Sequence, residues 1–85
     1  MDKKIKKHSS GKCHFCEEKN YVVLDVHRII PGEKGGKYTN DNTVVCCVKH
    51  HRLVHSGSII IYGWVDSTKG RLLHYIDENG KEQFK

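Results

Sequence analysis

The sequence predicts an α+β domain: a metal-stapled strand-loop-strand-helix unit followed by a β-hairpin meander. Three observations predict it. Two Cys/His pairs, Cys13-His14-Phe15-Cys16 and Cys47-Val48-Lys49-His50, each carry a two-residue spacer. Runs rich in β-branched residues alternate with Gly, Pro and Asn turn chemistry. A short helical segment rich in histidine follows the second pair. With 85 residues the chain holds one domain, and a chain of that size buries only about 60% of its extended surface, so a staple is expected.

Four cysteines make either a disulfide framework or a thiolate metal site. Residues 1–12 (MDKKIKKHSSGK) hold five lysines, one aspartate and no apolar stretch, which is unlike a secretory signal. Reduced thiols are therefore expected. No run approaches the roughly 18 apolar residues of a membrane span, so a soluble, cytoplasmic protein with no membrane partner is expected. The net charge of +5 is concentrated in residues 1–12. That segment reads as a flexible basic arm whose Lys3, Lys4, Lys6 and Lys7 suit a phosphate backbone, although such arms are also often merely solvated.

The folded unit begins at Cys13. Residues 21–30 (YVVLDVHRII) form a candidate strand that stops at Pro31-Gly32, and residues 32–42 (GEKGGKYTNDN) have no apolar period and read as a loop. Residues 43–48 make a second short strand. Residues 49–55 make about two helical turns ending at Ser56-Gly57. A core unit of residues 13–57 results, with residues 58–85 as a C-terminal extension. There, residues 59–65, 71–76 and 81–84 are strands separated by Asp66-Ser67-Thr68-Lys69-Gly70 and Asp77-Glu78-Asn79-Gly80. Trp64, Tyr62 and Tyr75 on this meander are expected to pack a small core rather than stack on bases.

A C-x-x-C knuckle lets two thiolates turn toward one tetrahedral ion. The second pair completes a Cys₃His set of Cys13, Cys16, Cys47 and His50, the donor types of a structural zinc. Cys46 adjoins Cys47 in a strand and should point to the opposite face, as a buried apolar side chain. Taking Cys46 as ligand in place of Cys47 would break the two-residue spacer. His51 and His55 are four apart, one helical turn, so both imidazoles can meet a second divalent cation, with His27 as a third ligand. Three protein ligands with positions open to water and substrate describe a catalytic ion; the competing reading is three ordinary surface histidines.

The stretch from Cys13 to His55 resembles the zinc-containing branch of the HNH endonuclease family. The resemblance runs through C-H-F-C, then V-H-R-I-I-P-G, then G-G-K-Y-T-N-D-N-T-V-V, then C-V-K-H-H-R-L-V-H. It implies a ββα-metal, treble-clef-like fold that holds one divalent ion beside a scissile phosphate. The three residues that name the family fall at His27 or its neighbour, Asn42 and His51. By the same resemblance Asn42 holds the loop in shape and orients the general base, while His51 and His55 face the ion. His50 stands where the commonest knuckle has a fourth cysteine. Relatives usually place the general base directly before Ile-Ile-Pro; here that residue is Arg28, which cannot take a proton at neutral pH. His27 then falls at the ligand position, or serves as base through a one-residue adjustment.

The expected function is hydrolysis of DNA phosphodiester bonds, nicking one strand or cutting both. Catalytic positions are His27, Arg28, Asn42, His51 and His55, and the basic arm, Arg28 and Arg52 contact nucleic acid. The expected cofactors are structural Zn²⁺ and a catalytic Mg²⁺, Mn²⁺, Ni²⁺, Co²⁺ or Zn²⁺. Double-stranded DNA is the expected partner, and the protein is a monomer or homodimer. Two alternatives remain at this point: a non-catalytic zinc-dependent DNA-binding module of the same fold, and a zinc-stapled protein-interaction domain.

Overall fold

A computed structural model describes residues 10–85 of the protein. Lys3, Lys4, Lys6 and Lys7 of the predicted basic arm lie outside the described residues. The described part is α+β, with two antiparallel sheets and the predicted helix between them in sequence. Strand β1, Leu24–Arg28, pairs with β2, Thr43–Cys47, in the register Leu24↔Cys47 to Arg28↔Thr43.

β1 is shorter than the expected strand at 21–30, for a reason at each end. Residues Tyr21–Val23 form a 3-10 turn instead, because the Asn20 side chain accepts from the Val22 N–H at 3.1 Å. Such an Asx contact competes with a strand ladder. No partner remains for those residues either: Leu24 is already opposite Cys47, the last residue of β2. At the other end the Ile29 and Ile30 amides turn away to Asn42. The loop after Pro31 also contains local structure, 3-10 turns at Gly32–Lys34 and Asn40–Asn42.

Helix α1, Val48–His55, begins one residue earlier than predicted, and so takes Val48 from the end of the expected second strand. It ends as its turn chemistry requires. Ser56 N–H reaches the Arg52 carbonyl, and Gly57, at φ 83°, donates to the Val54 carbonyl in the left-handed geometry that favours glycine. Eight residues are too few for a stable isolated helix, so α1 depends on what it packs against. Leu53 and Val54 supply that contact.

The meander comprises β3 (Ile60–Ser67), β4 (Gly70–Ile76) and β5 (Glu82–Phe84), paired in sequence order. Its strands run into the expected separator, leaving only Thr68-Lys69 as the first hairpin loop. Asp77 organises the second turn by accepting from the Lys81 and Asn79 amides and from Gln83 Nε2, all at 2.9 Å, and these bonds, those from Lys81 and Gln83 foremost, hold its carboxyl below the usual range. Register slips at Tyr62, between the pairs Ile61↔Tyr75 and Gly63↔His74. A bulge re-aims its residue. Tyr62 is accordingly 58% exposed and stacks on His74 at 4.7 Å. Tyr75 and Trp64 do pack inward as expected, but Tyr62 does not.

Buried residues gather in two clusters, one around Cys13, Leu24, Val45, Cys46 and Cys47, the other around Val44, Ile59, Leu73 and Tyr75. Phe15, from the first knuckle, packs against both. All five residues of β2 are buried, consistent with its place between elements from both halves of the chain. No helix among the described residues is long and apolar enough to cross a membrane.

Candidate metal centres

The first centre is assembled from a turn and a strand-helix junction. Cys13 and Cys16 come from the knuckle before β1, Cys47 ends β2, and His50 lies in the first turn of α1. Their four donor atoms lie within 4.8 Å of one another. The Cys47 sulfur is 3.2 Å from His50 Nδ1, Cys13 Sγ is 3.9 Å from the same nitrogen, and Cys16 Sγ is 3.9 Å from Cys47 Sγ. Three sulfurs and one imidazole at these separations can hold one metal ion such as zinc.

Electrostatics around the four donors differ. Burial pushes the Cys13 thiol up to about 11. Burial also raises Cys47, but the His50 and Lys49 amides and the Cys16 and Cys13 thiols outweigh it and leave Cys47 below its ordinary value. Burial lowers His50, which favours the neutral, ligating imidazole. Phe15 stacks on the His50 ring at 5.7 Å and limits its orientation. Cys46 is fully buried, its thiol is pushed up by burial, and it is not one of the four converging donors.

The second centre joins β1 to α1. His27, His51 and His55 bring three ring nitrogens within 4.8 Å of one another. His51 Nε2 is the hub, 3.3 Å from His27 Nδ1 and 3.0 Å from His55 Nε2. Burial, followed by repulsion from His51 and His55, pushes His27 down to about 4, so its imidazole is neutral at pH 7. Two of the three are half-buried and His55 is exposed, leaving one side of the cluster open.

Sequence reasoning missed Asp25. Its Oδ2 lies 3.1 Å from His51 Nδ1. A carboxylate there accepts a hydrogen bond from Nδ1–H, which fixes the tautomer and leaves the Nε2 lone pair directed at the cluster, the usual arrangement behind a metal-binding histidine. The signal was present in the spacing: Asp25 and His27 are two apart on a strand and therefore share a face. We expect Asp25→Ala to weaken binding of an ion at this cluster about 10- to 100-fold while leaving the Cys₃His centre intact. Calorimetric titration with Ni²⁺ checks it; unchanged affinity would make the contact incidental.

Asn42 lies in the loop between β1 and β2 and bridges both of its ends. Its Oδ1 accepts from Ile30 N at 2.8 Å, its Nδ2 donates to the Lys37 and Ile30 carbonyls at 2.9 and 3.1 Å, and its own carbonyl accepts from Ile29 N at 2.8 Å. Gly36 sits inside this knot. A Cβ there would overlap the Ile30 carbonyl and come within 2.9 Å of Asn42 Nδ2. Gly36→Ala should cost roughly 1–3 kcal/mol through this overpacking, seen as a lower melting temperature of the metal-loaded protein.

Arg28 follows His27 but alternates to the other side of the strand. Its guanidinium lies over the Tyr38 ring at 4.5 Å and against the Gly32 backbone, with no hydrogen-bonded or ionic partner among the described residues. Arg52 is exposed on α1.

The fold and its side chains thus define a small α+β protein with two Cys/His donor clusters, one suited to enclosing an ion and one open on a side. No family model, curated protein or solved structure matches the chain.

Proposed function

We propose that the protein is a metal-dependent endonuclease of the HNH type, built on a zinc-stapled ββα-metal unit, which hydrolyses DNA phosphodiester bonds. The observation that carries this reading is the convergence of His27, His51 and His55 on one side-open point, with Arg28, which has no ionic partner among the described residues, next to His27 in sequence. Zinc at Cys13, Cys16, Cys47 and His50 would couple the knuckle to β2 and α1, and so to the strand and helix that carry the three histidines. His27, His51 and His55 would hold a divalent ion, which would supply Lewis-acid polarisation of the phosphate and offset charge on the leaving 3′ oxygen. All-nitrogen donors favour nickel, cobalt or zinc over magnesium and manganese.

Water attacks the phosphorus in line as the bond to the 3′ oxygen breaks, and with His27 as ligand and Arg28 unable to accept a proton the water's proton passes to bulk solvent; the residues divide the remaining work. Asp25 orients His51. His27 aims Nδ1 at His51 Nε2, which supports its role as ligand rather than general base. Arg28, held flat by Tyr38, is a permanent cation suited to a non-bridging phosphate oxygen. Asn42 fixes the backbone immediately after Arg28.

Nicking of supercoiled plasmid with each of Mg²⁺, Mn²⁺, Co²⁺, Ni²⁺ and Zn²⁺ tests the reading; no cleavage with any of them would reject it. His27→Ala should lose ion affinity and cleavage together. A variant that binds the ion normally and loses only turnover, about 10²- to 10⁴-fold, would make His27 the base instead. Arg28→His puts an imidazole at the base position: a raised rate would show that the end of β1 presents position 28 to the phosphate, and an unchanged rate would remove that position from the chemistry. The presence of arginine at the base position favours a second reading, a DNA-binding module of the same fold without catalysis, in which Arg28, Arg52 and the C-terminal hairpins grip phosphate. DNA binding that falls steeply with salt, without cleavage, would support that module.

A further inference from the structure

The C-terminal hairpin, which lies outside the stretch with the catalytic candidates, touches the loop between β1 and β2 on both sides of Asn42. Trp64 Nε1 on β3 donates to the Thr43 carbonyl at 3.0 Å. Arg71 on β4 donates from one guanidinium nitrogen to the Asn40 carbonyl at 3.0 Å and to Asp41 Oδ1 at 3.2 Å. The Arg71 guanidinium also lies 4.1 Å above the Trp64 ring, so the two side chains act as one unit. These contacts fall on and just after the three-residue 3-10 turn Asn40–Asn42, which has no side-chain N-cap and is closed locally at the Thr39 carbonyl, by the Asn42 N–H at 3.1 Å and the Thr43 hydroxyl at 2.7 Å. Asn42 then passes the constraint on, through the Ile29 and Ile30 amides, to the chain directly after His27 and Arg28.

We propose that Trp64 and Arg71 are positioning residues for the phosphodiesterase site, bracing the Asn40–Asn42 turn so that Asn42 holds the exit of β1 in place. This rests on reading the three-histidine cluster as catalytic. The contacts do not contribute equally. The Arg71–Asp41 ion pair involves a side chain 94% exposed, and exposed pairs contribute little. The brace therefore consists of the indole N–H bond to Thr43, the guanidinium bond to Asn40 and the stacking between the two side chains. This assigns the C-terminal meander a role at the site.

Trp64→Phe keeps an aromatic ring beneath Arg71 but removes the N–H donor together with part of the indole's packing; Arg71→Ala removes the other arm; Asp41→Ala removes the exposed ion pair alone. All three are made in the full chain loaded with zinc, and each is read in two ways. The first is amide hydrogen exchange at Ile29 and Ile30, which needs no catalysis. The second is plasmid nicking, with kcat and KM separated. Trp64→Phe and Arg71→Ala should retain zinc, speed exchange at Ile29 and Ile30 about tenfold over amides in β4, and lower kcat with little change in KM, the loss of about one hydrogen bond. Asp41→Ala should match the parent. Exchange at Ile29 and Ile30 unchanged in both variants, or raised equally throughout the chain, would overturn the brace. Faster local exchange with undiminished kcat would also overturn it as a positioning device. Should the parent protein cut nothing with any ion, the nuclease reading fails, and the exchange data still decide whether the brace exists.

Discussion

Cys13→Ser and Cys47→Ser are expected to abolish metal binding at the Cys₃His centre and leave the chain unfolded. The reason lies in magnitudes. A structural zinc contributes roughly 10–16 kcal/mol of apparent binding free energy at pH 7, whereas a whole domain is stable by only about 5–15 kcal/mol. Nothing in this small core replaces it. The described residues hold two modest buried clusters, and Cys13 and Cys47 are themselves members of the first. Serine keeps nearly the same volume, so the effect isolates ligation from packing. Metal analysis of the purified variants and far-ultraviolet circular dichroism check it; a folded, metal-free Cys13→Ser protein at normal yield would refute the staple. Cys46→Ala should keep the metal and lose only packing, about 1–2 kcal/mol. Acid should release the ion. The Cys13 thiol is held up near 11 without metal, so ligation must expel its proton, and affinity falls as pH falls.

His51→Ala and His55→Ala are expected to leave the fold and the first centre in place while abolishing plasmid cleavage and weakening binding of the second ion, the quantity on which the two differ. His51 should have the larger effect. Its Nε2 faces both other imidazoles and its Nδ1 faces Asp25, so its loss also leaves that carboxylate without its partner. His55 is exposed, so its truncation creates no cavity and tests the site without disturbing the core. Cleavage at the parent rate by either variant, across magnesium, manganese and nickel, would exclude a catalytic ion at these histidines. Parallel zinc analysis distinguishes this outcome from general unfolding, since the Cys13, Cys16, Cys47 and His50 donors contain neither residue.

The local pairs Cys13/Cys16, Cys47/His50 and His51/His55 could be named from spacing, because a two-residue spacer and a four-residue helical step constrain geometry within a few residues of chain, whereas joining the two knuckles and adding His27 draws on donor chemistry and the family resemblance. Turn residues likewise marked the order strand, loop, strand, helix and meander, with errors of a few residues at the ends. Those end errors have tertiary causes: β1 starts only where Cys47 offers a partner, and it stops where Asn42 takes its amides. Aromatic content suggested that Tyr62 belonged to the core, yet a register slip against β4 turned it outward. Choosing Cys47 over Cys46 was legible because only Cys47 keeps the two-residue spacer to His50, and strand alternation then turns Cys46 to the other face.

Local covalent geometry thus settles which side chains can share a face, a turn or an ion, and the chain alone carries that information through residue type and spacing. Which faces meet is another matter. Asp25 and His51 are 26 residues apart, Trp64 and Thr43 21, Arg71 and Asn40 31. No spacing rule reaches across such separations. Those contacts depend on the β1–β2 register, on how α1 packs against that pair, and on the packing of the meander against β2 and its preceding turn, all of which are set by burial of the whole core rather than by any local segment.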